Sequence, residues 1–156
     1  MVYVEENIAN HVVKAAQLTV AFVILYKICM MNILRMKIQC INNVNKQRQR
    51  GEKEAQQFDR YSSPAMHTAD RLVGNFLEWY PMFIGLVWSL ALTGNLNTTC
   101  YVASWLYVIL RGLYIVLILQ YGVATNGINT SLAISTIPSY ICLIIMCCEA
   151  IRQLYM

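Results

Sequence analysis

The sequence predicts an all-α protein: an integral membrane four-helix bundle whose four transmembrane helices run up-down-up-down. Of its 156 residues, 58% are hydrophobic and only 13% are charged, whereas a soluble domain usually carries about 25% charged residues. The charges are also unevenly placed, because residues 98–156 contain only Arg111, Glu149 and Arg152. We therefore predict that residues 1–156 form one membrane domain.

Four apolar segments are long enough to cross a bilayer, which takes roughly 20 mostly apolar residues in a helix. The second and third segments, and the third and fourth, are joined by short turns at 94–99 and 122–128 that contain Gly and Asn. Helices joined by such short turns are expected to be antiparallel neighbours. The predicted helices cover about 12–36, 69–93, 100–121 and 129–152.

The connection between the first two helices is long, polar and basic, and we predict a loop over residues 37–66. Its first part could also prolong the first helix beyond the bilayer. The positive-inside rule places this loop on the cytosolic or matrix side. We expect the membrane to be that of the endoplasmic reticulum or of a mitochondrion. Contact with lipid headgroups explains these charges better than a nucleic-acid patch does, and we expect no nucleic-acid partner. The basic residues are Arg35, Lys37, Lys46, Arg48, Arg50, Lys53 and Arg60.

Ionisable residues also occur deep within the apolar segments. At ~1.5 Å per residue, Glu78 and Lys27 lie roughly 14 Å from the inner face and Arg111 roughly 15 Å. Such groups are costly in a bilayer, so they are expected to face the bundle interior and to find partners. Glu78 and Arg111 are at a level where they can pair. Two bases then compete for one acid, and the excess positive charge favours an anionic ligand or a further acid.

Polar residues form stripes on the second and third helices. Arg71, Asn75 and Glu78 recur at helical spacing, and Arg111 and Tyr114 follow the same spacing on the third helix, continued by Ile118. Two facing polar stripes make either a ligand site or a structural lock between helices, and the spacing alone leaves both open. No catalytic residue can be assigned, and no grouping of Cys, His or acidic residues indicates a metal site.

At these positions the sequence resembles a known family. Residues 71–81, RLVGNFLEWYP, are similar to the second-helix signature E-R-x-x-x-A-x-x-N-x-x-[ED]-x-x-P of the MAPEG family, the membrane-associated proteins in eicosanoid and glutathione metabolism. Asn75, Glu78 and Pro81 match its last three fixed positions. Residues 110–122, LRGLYIVLILQYG, resemble the third-helix segment R-x-x-Y. The closest likeness is to the microsomal glutathione transferases.

The resemblance implies a homotrimer in the lipid bilayer that binds glutathione as a co-substrate between subunits, toward the cytosolic half. The glutathione thiolate would attack a lipophilic small molecule dissolved in the membrane, and the protein would be a transferase or peroxidase. The contacts carried over from the family are Arg71, Asn75, Glu78, Arg111 and Tyr114, with Arg35 at the end of the first helix.

The sequence also departs from the family pattern. His67 and Thr68 replace the opening E-R, and no arginine lies in 122–131, where eicosanoid-forming members use one to activate the thiol. The resemblance therefore implies that the binding half of the site is mostly present and that thiol activation is weak. The alternative is a non-catalytic accessory or scaffold subunit of a larger membrane complex, for example a respiratory assembly.

Overall fold

The described part of the chain folds into four long helices. The computed structural model describes residues 2–50, 64–121 and 130–155, and no strand occurs within these ranges. The all-α prediction is confirmed. The helices are α1 (Val2–Gln49), α2 (Pro64–Leu92), α3 (Thr98–Tyr121) and α4 (Thr130–Leu154).

Helix α1 is much longer than its apolar segment. It continues through residues 37–49, so the alternative that the first part of this connection prolongs the first helix holds, in place of a loop from residue 37. The predicted loop is wrong at 64–66, which belong to α2. Residues 51–63 lie outside the described part of the chain. The helix continues because 37–49 contain neither Gly nor Pro, the residues that most disfavour a helix. Lys46 and Arg48 in the last turn also complement the helix dipole.

Three segments are long and apolar enough to cross a membrane by length and composition: Ile8–Gln49, Thr98–Tyr121 and Leu132–Gln153. Helix α2 is long enough but less apolar, because it carries the polar stripe, and it continues through Pro81. The three apolar helices expose large aliphatic side chains such as Ile24, Ile109 and Ile144. So much exposed apolar surface is typical of contact with lipid, and the protein is an integral membrane protein.

Contacts at one end of the bundle fix the up-down-up-down arrangement. Ile8 of α1 lies against Gly94 in the α2–α3 turn. Asn97 Nδ2 donates a hydrogen bond to Glu149 Oε1 near the end of α4, at 3.0 Å. The amino-terminal part of α1, the α2–α3 turn and the carboxyl end of α4 therefore lie together. The basic end of α1 and the amino-terminal half of α2 lie at the opposite end.

The α2–α3 turn is built from residues suited to its backbone. Gly94 has a φ of 72°, a conformation that costs glycine little. Asn97 Oδ1 accepts a hydrogen bond from the Cys100 amide at 2.9 Å and so caps α3. Asn97 begins an N-T-T sequence that matches a glycosylation sequon. In the structure its side chain instead joins the cap of α3 to Glu149 of α4.

Phe22 is the centre of an aromatic cluster that joins α1, α2 and α3. Its fully buried ring lies 5.1 Å from the ring of Phe83, 5.3 Å from Phe76 and 6.0 Å from Tyr107. These separations are in the range in which aromatic pairs add to the free energy of burial. The cluster fixes the rotation of α1 and α2 about their axes, which decides which α2 side chains face outward.

Small side chains allow α3 and α4 to pack closely. Ser104, Ser135 and Ser139 are buried at or beside this contact. Ser135 Oγ donates to the Leu110 carbonyl across the helices at 2.5 Å, and Ser139 Oγ donates to the Ser135 carbonyl at 2.7 Å. Close approach through small residues and interhelical hydrogen bonds is the usual way in which membrane helices associate.

The aromatic cluster gives a first prediction. Phe22→Ala should lower the free energy of unfolding by about 3 kcal/mol, because it removes a buried ring and leaves a cavity. The measurement is thermal unfolding of the purified protein in detergent. Ile24→Ala, on the exposed side of the same helix, is the control and should change the midpoint much less. Equal losses in the two variants would show that the cluster does not organise the core.

Candidate functional site

A cavity of about 340 Å³ lies along the amino-terminal half of α2, toward the basic end of the bundle. Its volume is within the range of small-ligand pockets, about 300–1,000 Å³. Six of the lining residues belong to α2 and one to α3. They are His67, Asp70, Arg71, Gly74, Asn75, Glu78 and Tyr114.

The α2 lining is a single helical stripe. Its members recur three and four residues apart, which places them on one face. Gly74 contributes room, since a Cβ added there would meet no atom within 4 Å. The sequence predicted Arg71, Asn75 and Glu78, and the lining also includes His67, Asp70 and Gly74, which were not predicted. Extending the stripe one helical turn toward the start of α2, and including the residues between its members on the same face, would have predicted them.

Arg111 lies behind this stripe and is almost fully buried, with 1% of its surface exposed. Its Nη1 donates a hydrogen bond of 2.6 Å to Asn75 Oδ1. Its Nε and Nη2 are also buried, and neither has a hydrogen-bond partner among the described residues. Most buried polar groups in proteins are paired, so two unpaired donors on one guanidinium require a physical explanation.

Aromatic rings provide the rest of the Arg111 environment. The guanidinium carbon lies 5.0 Å from the ring centroid of Tyr107, 5.9 Å from that of Trp79 and 6.0 Å from that of Tyr140. The ring faces stabilise a cation by their quadrupoles, but they do not neutralise its charge. A positive charge therefore remains inside the bundle beside the cavity.

The ion pair between Glu78 and Arg111 is absent among the described residues. Glu78 is exposed and lines the cavity, while Arg111 bonds to Asn75 one turn away. Asn75 lies less than one helical turn from Glu78, so Glu78 and Arg111 are at similar levels. The rotation of α2, however, places the amide of Asn75 rather than the carboxylate of Glu78 against the guanidinium. Lys27 was expected to face the interior and is instead exposed on α1.

The structure brings most of the candidate contacts together. Arg71, Asn75, Glu78 and Tyr114 line the cavity, and Arg111 is one hydrogen bond behind it. Arg35 is exposed on α1 and is not among the lining residues. Ile118, the last member of the predicted α3 stripe, is buried in the apolar core.

The cavity presents charges of both signs. Arg71 and Glu78 are exposed and separated by seven residues, roughly 10 Å along the helix axis. Neither forms a hydrogen bond or ion pair with the described part of the chain. An arginine can grip a carboxylate with two parallel hydrogen bonds, and a glutamate can accept from an ammonium. With Asp70 also in the lining and Arg111 behind it, acids and bases balance, and the arrangement suits a small zwitterionic ligand.

Comparison with known proteins identifies a family whose sequence pattern matches most of the chain. The model of the MAPEG family matches residues 15–152, a range that includes every residue lining the cavity. A search of curated proteins and a search of solved structures each found no match.

The buried guanidinium gives a second prediction. Asn75→Ala should lower the free energy of unfolding by about 2 kcal/mol, because it removes the one hydrogen bond of a buried cation. Arg111→Met should not lower it, because replacing a buried charge by an apolar side chain of similar length removes the desolvation penalty. Thermal unfolding in detergent without ligand measures both.

The matched control is Glu78→Ala, an exposed residue on the same stripe as Asn75, which should leave the unfolding midpoint nearly unchanged. A larger loss for Arg111→Met than for Asn75→Ala would mean that the guanidinium has partners that the described residues do not supply.

Proposed function

The chain belongs to the MAPEG family, and we propose that it binds glutathione in the α2 cavity, in the manner of a membrane glutathione transferase or peroxidase. One observation carries the proposal. Arg111 is a buried cation with two donors that find no partner among the described residues, and it lies directly behind a cavity with Arg71 and Glu78 in its lining. The guanidinium has no carboxylate beside it in the described part of the chain, and a carboxylate of glutathione would supply both the negative charge and the hydrogen-bond acceptors.

The chemistry of glutathione matches the lining group by group. It carries two carboxylates, one ammonium and one thiol. Arg71 is suited to hold a carboxylate through two hydrogen bonds, and Glu78 to accept from the ammonium. Arg111, held in place by Asn75, adds a positive potential that is little screened because the group is buried. Tyr114 can donate its hydroxyl proton to an acceptor in the cavity.

We further propose that a neighbouring subunit completes the site in a homotrimer. The support is the composition of the lining, since Tyr114 is the single contribution from outside α2 among the residues that the structure describes. A flexible peptide such as glutathione is normally enclosed on most sides by its pocket. A second copy placed along α2 would supply the missing wall.

We propose that thiol activation is the weaker half of the function. A transferase reaction needs the thiolate, which forms a bond to carbon of the electrophile while the leaving group departs. An arginine near the sulfur favours the thiolate, but residues 122–131 contain none; residues 122–129 lie outside the described part of the chain. Binding with slow conjugation of lipophilic electrophiles is therefore the activity that these residues support best.

A second candidate is a non-catalytic accessory subunit of a larger membrane complex. The observation that favours it is the length of α1, which continues as a basic helix to Gln49 after its apolar segment ends. A small-molecule enzyme does not need such an extension. This candidate and glutathione binding are not exclusive, because the two features lie on different helices.

Isothermal titration of the detergent-solubilised protein with glutathione provides the test. Glu78→Ala and Arg111→Ala should each weaken binding more than about tenfold, because each leaves a charged group of the ligand unpaired. Gly74→Leu should abolish binding by filling the cavity, without touching a charged residue.

Gly85→Leu is the matched control. Gly85 lies on the same helix, outside the cavity lining, and an added Cβ there also meets no atom within 4 Å. It should bind glutathione as the unmodified protein does. The absence of heat with the unmodified protein would reject the proposal, and equal losses at Gly74 and Gly85 would place the ligand elsewhere.

A further inference from the structure

We propose that the projecting end of α1, residues 44–50, is a docking surface for an acidic segment of another protein. This inference does not rest on glutathione binding. It rests on where α1 ends relative to the other helices, on the charges that this end carries and on its distance from the bilayer.

The register of the helices shows how far α1 projects. Gln17 bonds to Tyr101 of α3, and Leu25 lies against Gly112. Because α1 and α3 run in the same direction, Tyr121 at the end of α3 is level with about residue 35 of α1. Trp88 of α2 donates a hydrogen bond to Thr19 of α1. Because α2 runs opposite to α1, counting back along α2 from Trp88 places Pro64 level with about residue 43 of α1.

Residues 44–50 thus extend past the ends of the neighbouring helices. The burial pattern agrees, since every residue from Asn45 to Arg50 is exposed. The chain carries three cations here, Lys46, Arg48 and Arg50, and residues 35–50 contain no acidic residue. An exposed helical end with charges of one sign is complementary to an acidic partner.

The distance from the bilayer argues against lipid as the occupant. Arg35 is level with the end of α3 and so lies near the membrane surface. At ~1.5 Å per residue, Lys46 is roughly 16 Å beyond Arg35 and Arg50 roughly 22 Å. The headgroup layer is about 5–7 Å thick on each side, and the Debye length is about 8 Å at physiological salt. Arg35 and Lys37 can reach headgroups, whereas the three distal cations cannot.

The composition argues against nucleic acid. Surfaces that bind single-stranded nucleic acid combine cations with aromatic side chains on which bases stack, and residues 37–50 contain no aromatic residue. Three cations also allow few phosphate contacts. The remaining exposed side chains are mainly amides, which both donate and accept hydrogen bonds and so suit a protein surface.

The test uses the full-length protein in nanodiscs of phosphatidylcholine. The probes are a fluorescent peptide of alternating Glu and Ala and an oligouridylate with the same number of negative charges. The acidic peptide should bind more tightly than the oligouridylate. The combined variant Lys46→Glu, Arg48→Glu and Arg50→Glu should weaken peptide binding at least about tenfold. Arg35→Gln with Lys37→Gln, the proximal control, should change it less than about twofold.

Four outcomes would overturn the inference. They are no peptide binding, tighter binding of the oligouridylate, an equal loss in the proximal control, or a tenfold loss when phosphatidylserine is added to the nanodisc. The last would assign the distal cations to lipid.

Discussion

The burial of the Arg111 guanidinium is the constraint on which the rest of the site depends. In a bundle surrounded by hydrocarbon, a charged side chain is costly unless its environment compensates it. In the described part of the chain, one amide oxygen and three aromatic ring faces do so in part, without a carboxylate. Asn75 points inward to make that bond, and helical spacing then places Arg71 and Glu78 in the cavity lining. The positive charge of Arg111 favours the binding of an anion beside it.

The contacts that stabilise the bundle are separate from the residues that line the cavity. Phe22 and its neighbours hold α1 against α2 and α3 through aromatic contact, while buried serines let α3 and α4 approach closely. Neither contact involves the polar stripe. Helix α2 is therefore left to carry the polar groups that line the cavity. Gly74 keeps the cavity open, because it has no side chain to fill it.

Much of this organisation could be predicted from the sequence, because hydrophobic length and turn residues determine how many helices cross a membrane. The residue at which α1 ends could not be predicted in this way, because the change to polar residues shows where a helix leaves the bilayer but not where the helix ends. Residue counting predicted that Glu78 and Arg111 lie at the same level, but whether they pair depends on helix rotation, to which packing around Phe22 contributes. Arg35 was placed in the site by resemblance alone, and its position on α1 turns it away from the cavity lining.

The position of the cavity along α2 makes it accessible both from the aqueous phase and from the bilayer. His67 and Asp70 are near the level at which α3 ends, and Glu78 is roughly 16 Å further along α2 from His67. A water-soluble peptide can therefore enter from the polar end, while a lipophilic molecule approaches through the bilayer beside Glu78 and Tyr114. The basic extension of α1 rises from the same end of the bundle. Its cations raise the local concentration of anions there, so the charge that suits the proposed docking partner would also favour the approach of the proposed ligand, glutathione.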